Sequence, residues 1–80
     1  MIHLPDIWGI IKTKMPPGVW VSLEYIYKLV ESNWELDKED FDPQTSGSSI
    51  PKWKRNVRNV LQYRKGTGEI AWKRVSHYRL

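Results

Sequence analysis

This 80-residue chain predicts an α+β domain, with three helices followed by a short C-terminal β-hairpin. Three observations lead there. Apolar residues recur at helical spacing through residues 4–11, 23–34 and 53–61, then alternate from Ile70 to Leu80. Charge is segregated: residues 51–80 carry nine Lys and Arg against the single Glu69, a net +8, while residues 1–50 carry four bases against eight acids, a net −4. Five Trp, four Tyr and one Phe offer large apolar side chains, each able to bury roughly 150–250 Å². They replace the disulfides that a chain without cysteine cannot form, in a domain near the lower size limit for a single core.

The first helix is expected near residues 5–14. Leu4, Ile7, Trp8 and Ile11 form its apolar stripe, and Pro5 is tolerated in the first turn, where its missing N–H has no partner to lose. Pro16-Pro17-Gly18 turns the chain, and Val19-Trp20-Val21 reads as one short strand. Ser22 then suits an N-cap, with Glu24 favoured by the helix dipole. Leu23, Ile26, Tyr27, Val30 and Trp34 carry a second helix near 23–33.

Residues 35–50 lose periodicity and read as a loop, with room for a helical turn around Asp37–Phe41. Phe41 is expected to pin this loop to the core. Asp37, Glu39, Asp40 and Asp42 lack the D-x-[DN]-x-[DN]-G pattern of a cation loop, so they read as a solvated acidic face.

The third helix is expected at 51–65. Trp53, Val57, Val60 and Leu61 fall on one narrow arc, and Lys52, Lys54, Arg55, Arg58, Asn59 and Gln62 on the opposite one. Gly66 and Gly68 suit a left-handed C-cap. In the hairpin, near 69–80, Ile70 and Trp72 alternate with Glu69 and Ala71, Lys73–Ser76 turn, and Tyr78 and Leu80 alternate with His77 and Arg79. All of the tryptophans are expected in the core.

Several function classes fall away. No apolar run approaches the ~20 residues of a membrane span, and Met1–Ile11 lacks the basic start of a secretory signal, so a single cytoplasmic domain over 1–80 is expected. His3 and His77 stand apart, and there is no H-E-x-x-H, no cysteine and no Gly-rich phosphate loop. Catalysis, a metal, a cofactor and a small-molecule substrate are therefore not expected of this chain.

A basic helix and hairpin on an acidic scaffold point instead to nucleic acid. The unbalanced arc of the third helix carries the residue types that read base edges in the major groove of double-stranded DNA. Arg55 and Arg58 suit guanine, and Asn59 and Gln62 suit adenine. Lys52 and Lys54 at the helix start, and Lys73, Arg74 and Arg79 on the hairpin, suit phosphates. Ser48 and Ser49 are further phosphate candidates, although capping and linkage explain them as simply. If about six cations met phosphates, log affinity would fall against log salt with a slope near −5.

The frame Val57-Arg58-x-x-Leu61-Gln62, then Gly68-x-Ile70, then Tyr78-Arg79-Leu80 resembles the winged helix-turn-helix modules of prokaryotic restriction endonucleases. It is most similar to those joined to nucleases that cut adenine-methylated DNA. The resemblance covers residues 51–80 closely and 19–34 in outline. Where those modules more often place glycine before the last strand, this chain has Ser76 and His77. The resemblance implies a winged-helix fold, a target-recognition role, a nuclease domain in the same polypeptide, and recognition of N6-methyladenine. Trp53 is then the candidate methyl contact, with Trp34 or Tyr63 as substitutes. Two other readings stay open. One is a dimeric regulator on an unmodified operator, with Ile10 or Met15 exposed at the dimer surface. The other is a protein-interaction module whose basic face meets an acidic partner.

Overall fold

The computed structural model describes residues 1–43, 49–74 and 76–80. Four helices and a three-stranded antiparallel sheet are present among them. In chain order these are α1 (Leu4–Lys14), β1 (Val21–Ser22), α2 (Leu23–Asn33), α3 (Lys38–Phe41), α4 (Lys52–Thr67), β2 (Ala71–Lys73) and β3 (His77–Arg79). None of these helices is long and apolar enough to cross a membrane.

Helix α1 starts where Asp6 accepts the His3 backbone N–H at 3.1 Å, which satisfies one orphan donor of the first turn. It packs on both α2 and α4, so it buries more than a single stripe. Ile7, Trp8, Ile10 and Ile11 are all buried, as is Met15 just beyond the helix. Ile10 and Met15 are therefore core residues, which corrects the expectation that they lie exposed at a dimer surface. Leu4, in the first turn, projects away from the core and is exposed.

The Ser22 hydroxyl caps α2 as expected, accepting the Tyr25 N–H at 3.1 Å. Ile26, Tyr27 and Val30 face inward. At the C-cap the backbone becomes extended, which carries Trp34 off the helical stripe and leaves it exposed.

The segment after α2 departs most from expectation. Phe41 does not anchor it: the ring is 52% exposed. Asp40 does so instead, at 0% exposure. Its Oδ1 accepts the Ile2 N–H and its Oδ2 the Asp37 N–H, both at 3.0 Å, while Asp37 Oδ1 accepts the Asp40 N–H at 3.1 Å. The expected solvated acidic face thus has one buried member. A carboxylate can be buried here because backbone donors replace its water.

Helix α4 begins after Pro51 and runs two residues past its expected end. Trp53, Val57, Val60 and Leu61 enter the core, which matches the apolar arc. Gly68, at φ 82°, makes the left-handed stop, and the Glu69 N–H returns to the Arg64 carbonyl at 3.0 Å.

The strand order is β1-β3-β2, with Val21 and Trp72 both opposite Tyr78, and Ser22 and Lys73 both opposite His77. Because side chains alternate along a strand, Val21, Tyr78 and Trp72 share one face. Lys73, His77 and Arg79 share the other. Ser76 holds φ 53°, the left-handed geometry that a glycine before the last strand would take easily. Of the five tryptophans, only Trp8 and Trp53 are buried; Trp20 is half-buried, and Trp34 and Trp72 are exposed.

Candidate nucleic-acid interface

The exposed arc of α4 exists because its apolar arc is fully used in the core. With Trp53, Val57, Val60 and Leu61 facing inward, helical geometry turns Arg55, Arg58, Asn59 and Gln62 outward together. All four are exposed, and all four line one cleft of about 370 Å³. Leu23 at the start of α2, with Ser76 and Tyr78 from the hairpin, completes the walls. Among the described lining residues there is no carboxylate.

Arg58 sits close to two phenols of the core side. Burial pushes the Tyr27 and Tyr78 hydroxyls above the ordinary phenol range, and the Arg58 charge opposes that push in both. The Leu23 backbone N–H bonds the Ser76 carbonyl at 3.0 Å, which fixes the end of the hairpin against the start of α2. Helix, hairpin and cap are thereby held as one surface.

The phosphate candidates divide. Lys52 and Lys54 lie in the first turn of α4, half-buried, and the Lys54 ammonium rests 5.0 Å from the Tyr27 ring centroid and 5.7 Å from that of Trp53. Ser49 is exposed just before α4, and Ser48 lies outside the described residues. Arg74 is exposed in the hairpin turn. Lys73 and Arg79 are drawn elsewhere. Both cations stack on Trp20, at 4.6 and 4.9 Å, on the sheet face turned away from Tyr78. They do not join the α4 cleft, because β alternation sends them to the opposite side.

Trp53 requires correction as a methyl contact. It is 2% exposed and meets Tyr27 edge-on with centroids 5.7 Å apart, so its ring has no free face for a ligand. Its position on the Val57/Val60/Leu61 arc is the physical reason. Sequence reading also left out Leu23, Ser76 and Tyr78. Ser22 as an N-cap fixed where α2 begins, but nothing local in the sequence shows that β3 pairs with β1 beside it.

Two other basic residues of α4 are occupied. The Arg64 guanidinium pairs with Glu69 at 2.6 Å and lies 4.7 Å over the Trp8 ring, and the Lys65 ammonium lies 4.5 Å over Trp72. The hydrogen bonds that Arg64 and Thr67 donate hold the Glu69 carboxyl below the usual carboxylate range.

No family model matches the chain, and neither does a curated protein or a solved structure.

Proposed function

We propose that this chain binds double-stranded DNA, with α4 lying in the major groove and the hairpin turn beside it on the phosphate backbone. The observation that carries this reading is the gathering of Arg55, Arg58, Asn59 and Gln62 in one exposed cleft with no carboxylate among its described lining residues. Those side chains bring guanidinium and amide groups, the two types that bridge purine edges with paired hydrogen bonds. Arg55 and Arg58 also contribute unbalanced positive charge, which favours a polyanion at any sequence.

A winged helix-turn-helix reading of this α+β fold is supported by the order α1, β1, α2, α4, β2, β3 together with the strand order β1-β3-β2. On that reading α2 and α4 form the helix pair, α3 is an insertion between them, and the β2–β3 hairpin is the wing. The resemblance of residues 51–80 to restriction-endonuclease modules extends the proposal to target recognition within a restriction or DNA-processing system. Recognition of N6-methyladenine within this proposal falls to an exposed substitute, Trp34 or Tyr63, rather than to the buried Trp53. The dimeric-regulator reading has lost its proposed interface, since Ile10 and Met15 are buried.

The test is a titration of short labelled duplexes at fixed moderate salt, followed by anisotropy, with methylated and unmethylated adenine in otherwise identical strands. Saturable binding supports the DNA reading, and a preference for the methylated duplex supports methyl recognition. Absence of saturable binding to any duplex sinks both.

A further inference from the structure

A second cleft flanks the same helix and has a different chemistry. It lies between α1 and α4, holds about 290 Å³, and is walled by Leu4, Trp8, Val60 and Tyr63, with Asn59 and Arg64 at its polar edge. Leu4 and Tyr63 are 46% and 64% exposed, so this apolar surface is open to solvent. Its one cation is already neutralised: Arg64 is paired with Glu69 and lies between the Trp8 and Tyr63 rings, 4.7 and 5.1 Å from their centroids. Within a helix that is otherwise strongly basic, this is an uncharged aromatic recess.

Size and chemistry narrow the occupant. The recess is too small for a partner helix, whose diameter with side chains is about 10–12 Å, and its volume lies at the low end for small-ligand sites. A lining of aromatic rings and one amide, with its guanidinium already paired to Glu69 and covered by Trp8 and Tyr63, suits a single flat heterocycle with hydrogen-bonding edges. Asn59 belongs to both clefts, and Tyr63 stands one helical turn beyond it on the adjoining arc of α4. A duplex lying along Arg55–Gln62 would present its bases and backbone at the mouth of the recess.

We propose that the α1–α4 recess receives an unpaired nucleobase of the DNA held by α4, stacked on the exposed Tyr63 ring with the Asn59 amide at its hydrogen-bonding edge. This inference rests on the DNA-binding reading. Extruding a base costs least where it is already unpaired, so the site would favour bulged or mismatched duplex over perfect duplex.

The experiment compares a fully paired duplex with one carrying a single bulged 2-aminopurine, using wild-type protein and Tyr63→Ala. The exposed position of Tyr63 makes that variant safe for folding, and circular dichroism checks it. The bulged duplex should bind about ten-fold tighter, with a change in 2-aminopurine fluorescence, and Tyr63→Ala should remove both while leaving affinity for the unmethylated paired duplex within about two-fold. Equal affinity of wild-type protein for the two duplexes overturns the base site and leaves DNA binding standing. A Tyr63-dependent dimer in sedimentation would then assign the recess to a second copy. No saturable binding to either duplex overturns the inference together with the reading beneath it.

Discussion

The carboxylate of Asp40 accepts the backbone N–H of Ile2 from 38 residues away and joins the start of the chain to the short helix α3. The same carboxylate accepts the Asp37 N–H, so two donors depend on one fully buried side chain. Asp40→Ala removes the acceptor of both donors and leaves the buried Ile2 N–H without this partner. It should destabilise the fold by about 2 kcal/mol, lowering Tm by roughly 10 °C. Asp40→Asn keeps one acceptor oxygen and should lose less. Thermal or urea unfolding decides the matter; an unchanged midpoint for Asp40→Ala would mean that α3 is not anchored this way.

Ser76 and Gly68 make opposite predictions from the same backbone geometry. Gly68 ends α4 at φ 82°, so Gly68→Ala should cost about 1 kcal/mol. Ser76 holds φ 53° with a Cβ, so Ser76→Gly should be neutral or stabilising, by up to about 1 kcal/mol. Urea midpoints of the two variants should move in opposite directions or differ by at least that margin.

Arg58 can be located by its effect on two tyrosines. Burial raises the Tyr27 and Tyr78 phenols and the Arg58 charge lowers them, so Arg58→Ala should push both further up. A phenol whose folded-state pKa is raised binds its proton more tightly when folded. Its contribution is fully present below the ordinary phenol pKa of 10.0 and is lost as pH rises through the raised folded value. An NMR titration of the tyrosine ring carbons reads both phenols directly. Unmoved titrations in Arg58→Ala would place the guanidinium elsewhere.

Glu69 behaves in the opposite sense. Its carboxyl is held below 4.5 by hydrogen bonds from Arg64 and Thr67, so its support for the end of α4 is present above that value and is lost as pH falls through the lowered one. The stability difference between wild type and Glu69→Gln should be constant at neutral pH and vanish in acid. The pair is exposed, so the difference will be small.

Much of this molecule was readable from local pattern. Helix bounds, the Ser22 cap, the Gly68 stop and the outward arc of α4 each depend on residues within a few positions of one another. What escaped depends on distant pairing. Val21 meets Tyr78 across most of the chain, and only that pairing sets which sheet face holds Lys73 and Arg79 and which faces α4. Asp40 looked like any solvated acid, because the N–H groups that permit its burial come from Ile2 and Asp37 through folding. The exposed Trp34, Phe41 and Trp72 show the converse, since a large apolar residue goes inside only where the backbone aims it inside.

The central claim is that the Arg55–Gln62 face of α4 lies on a duplex, and affinity measured against salt for wild type and Arg58→Ala tests it most directly. With Lys73 and Arg79 engaged by Trp20, Lys52, Lys54 and Arg74 remain for phosphates, so log affinity should fall against log salt with a slope of about −3. Arg58→Ala should weaken the preferred sequence by about 1–3 kcal/mol and relax base preference. Salt-independent or unsaturable binding, or an Arg58→Ala variant that binds every duplex as tightly as wild type, would contradict it.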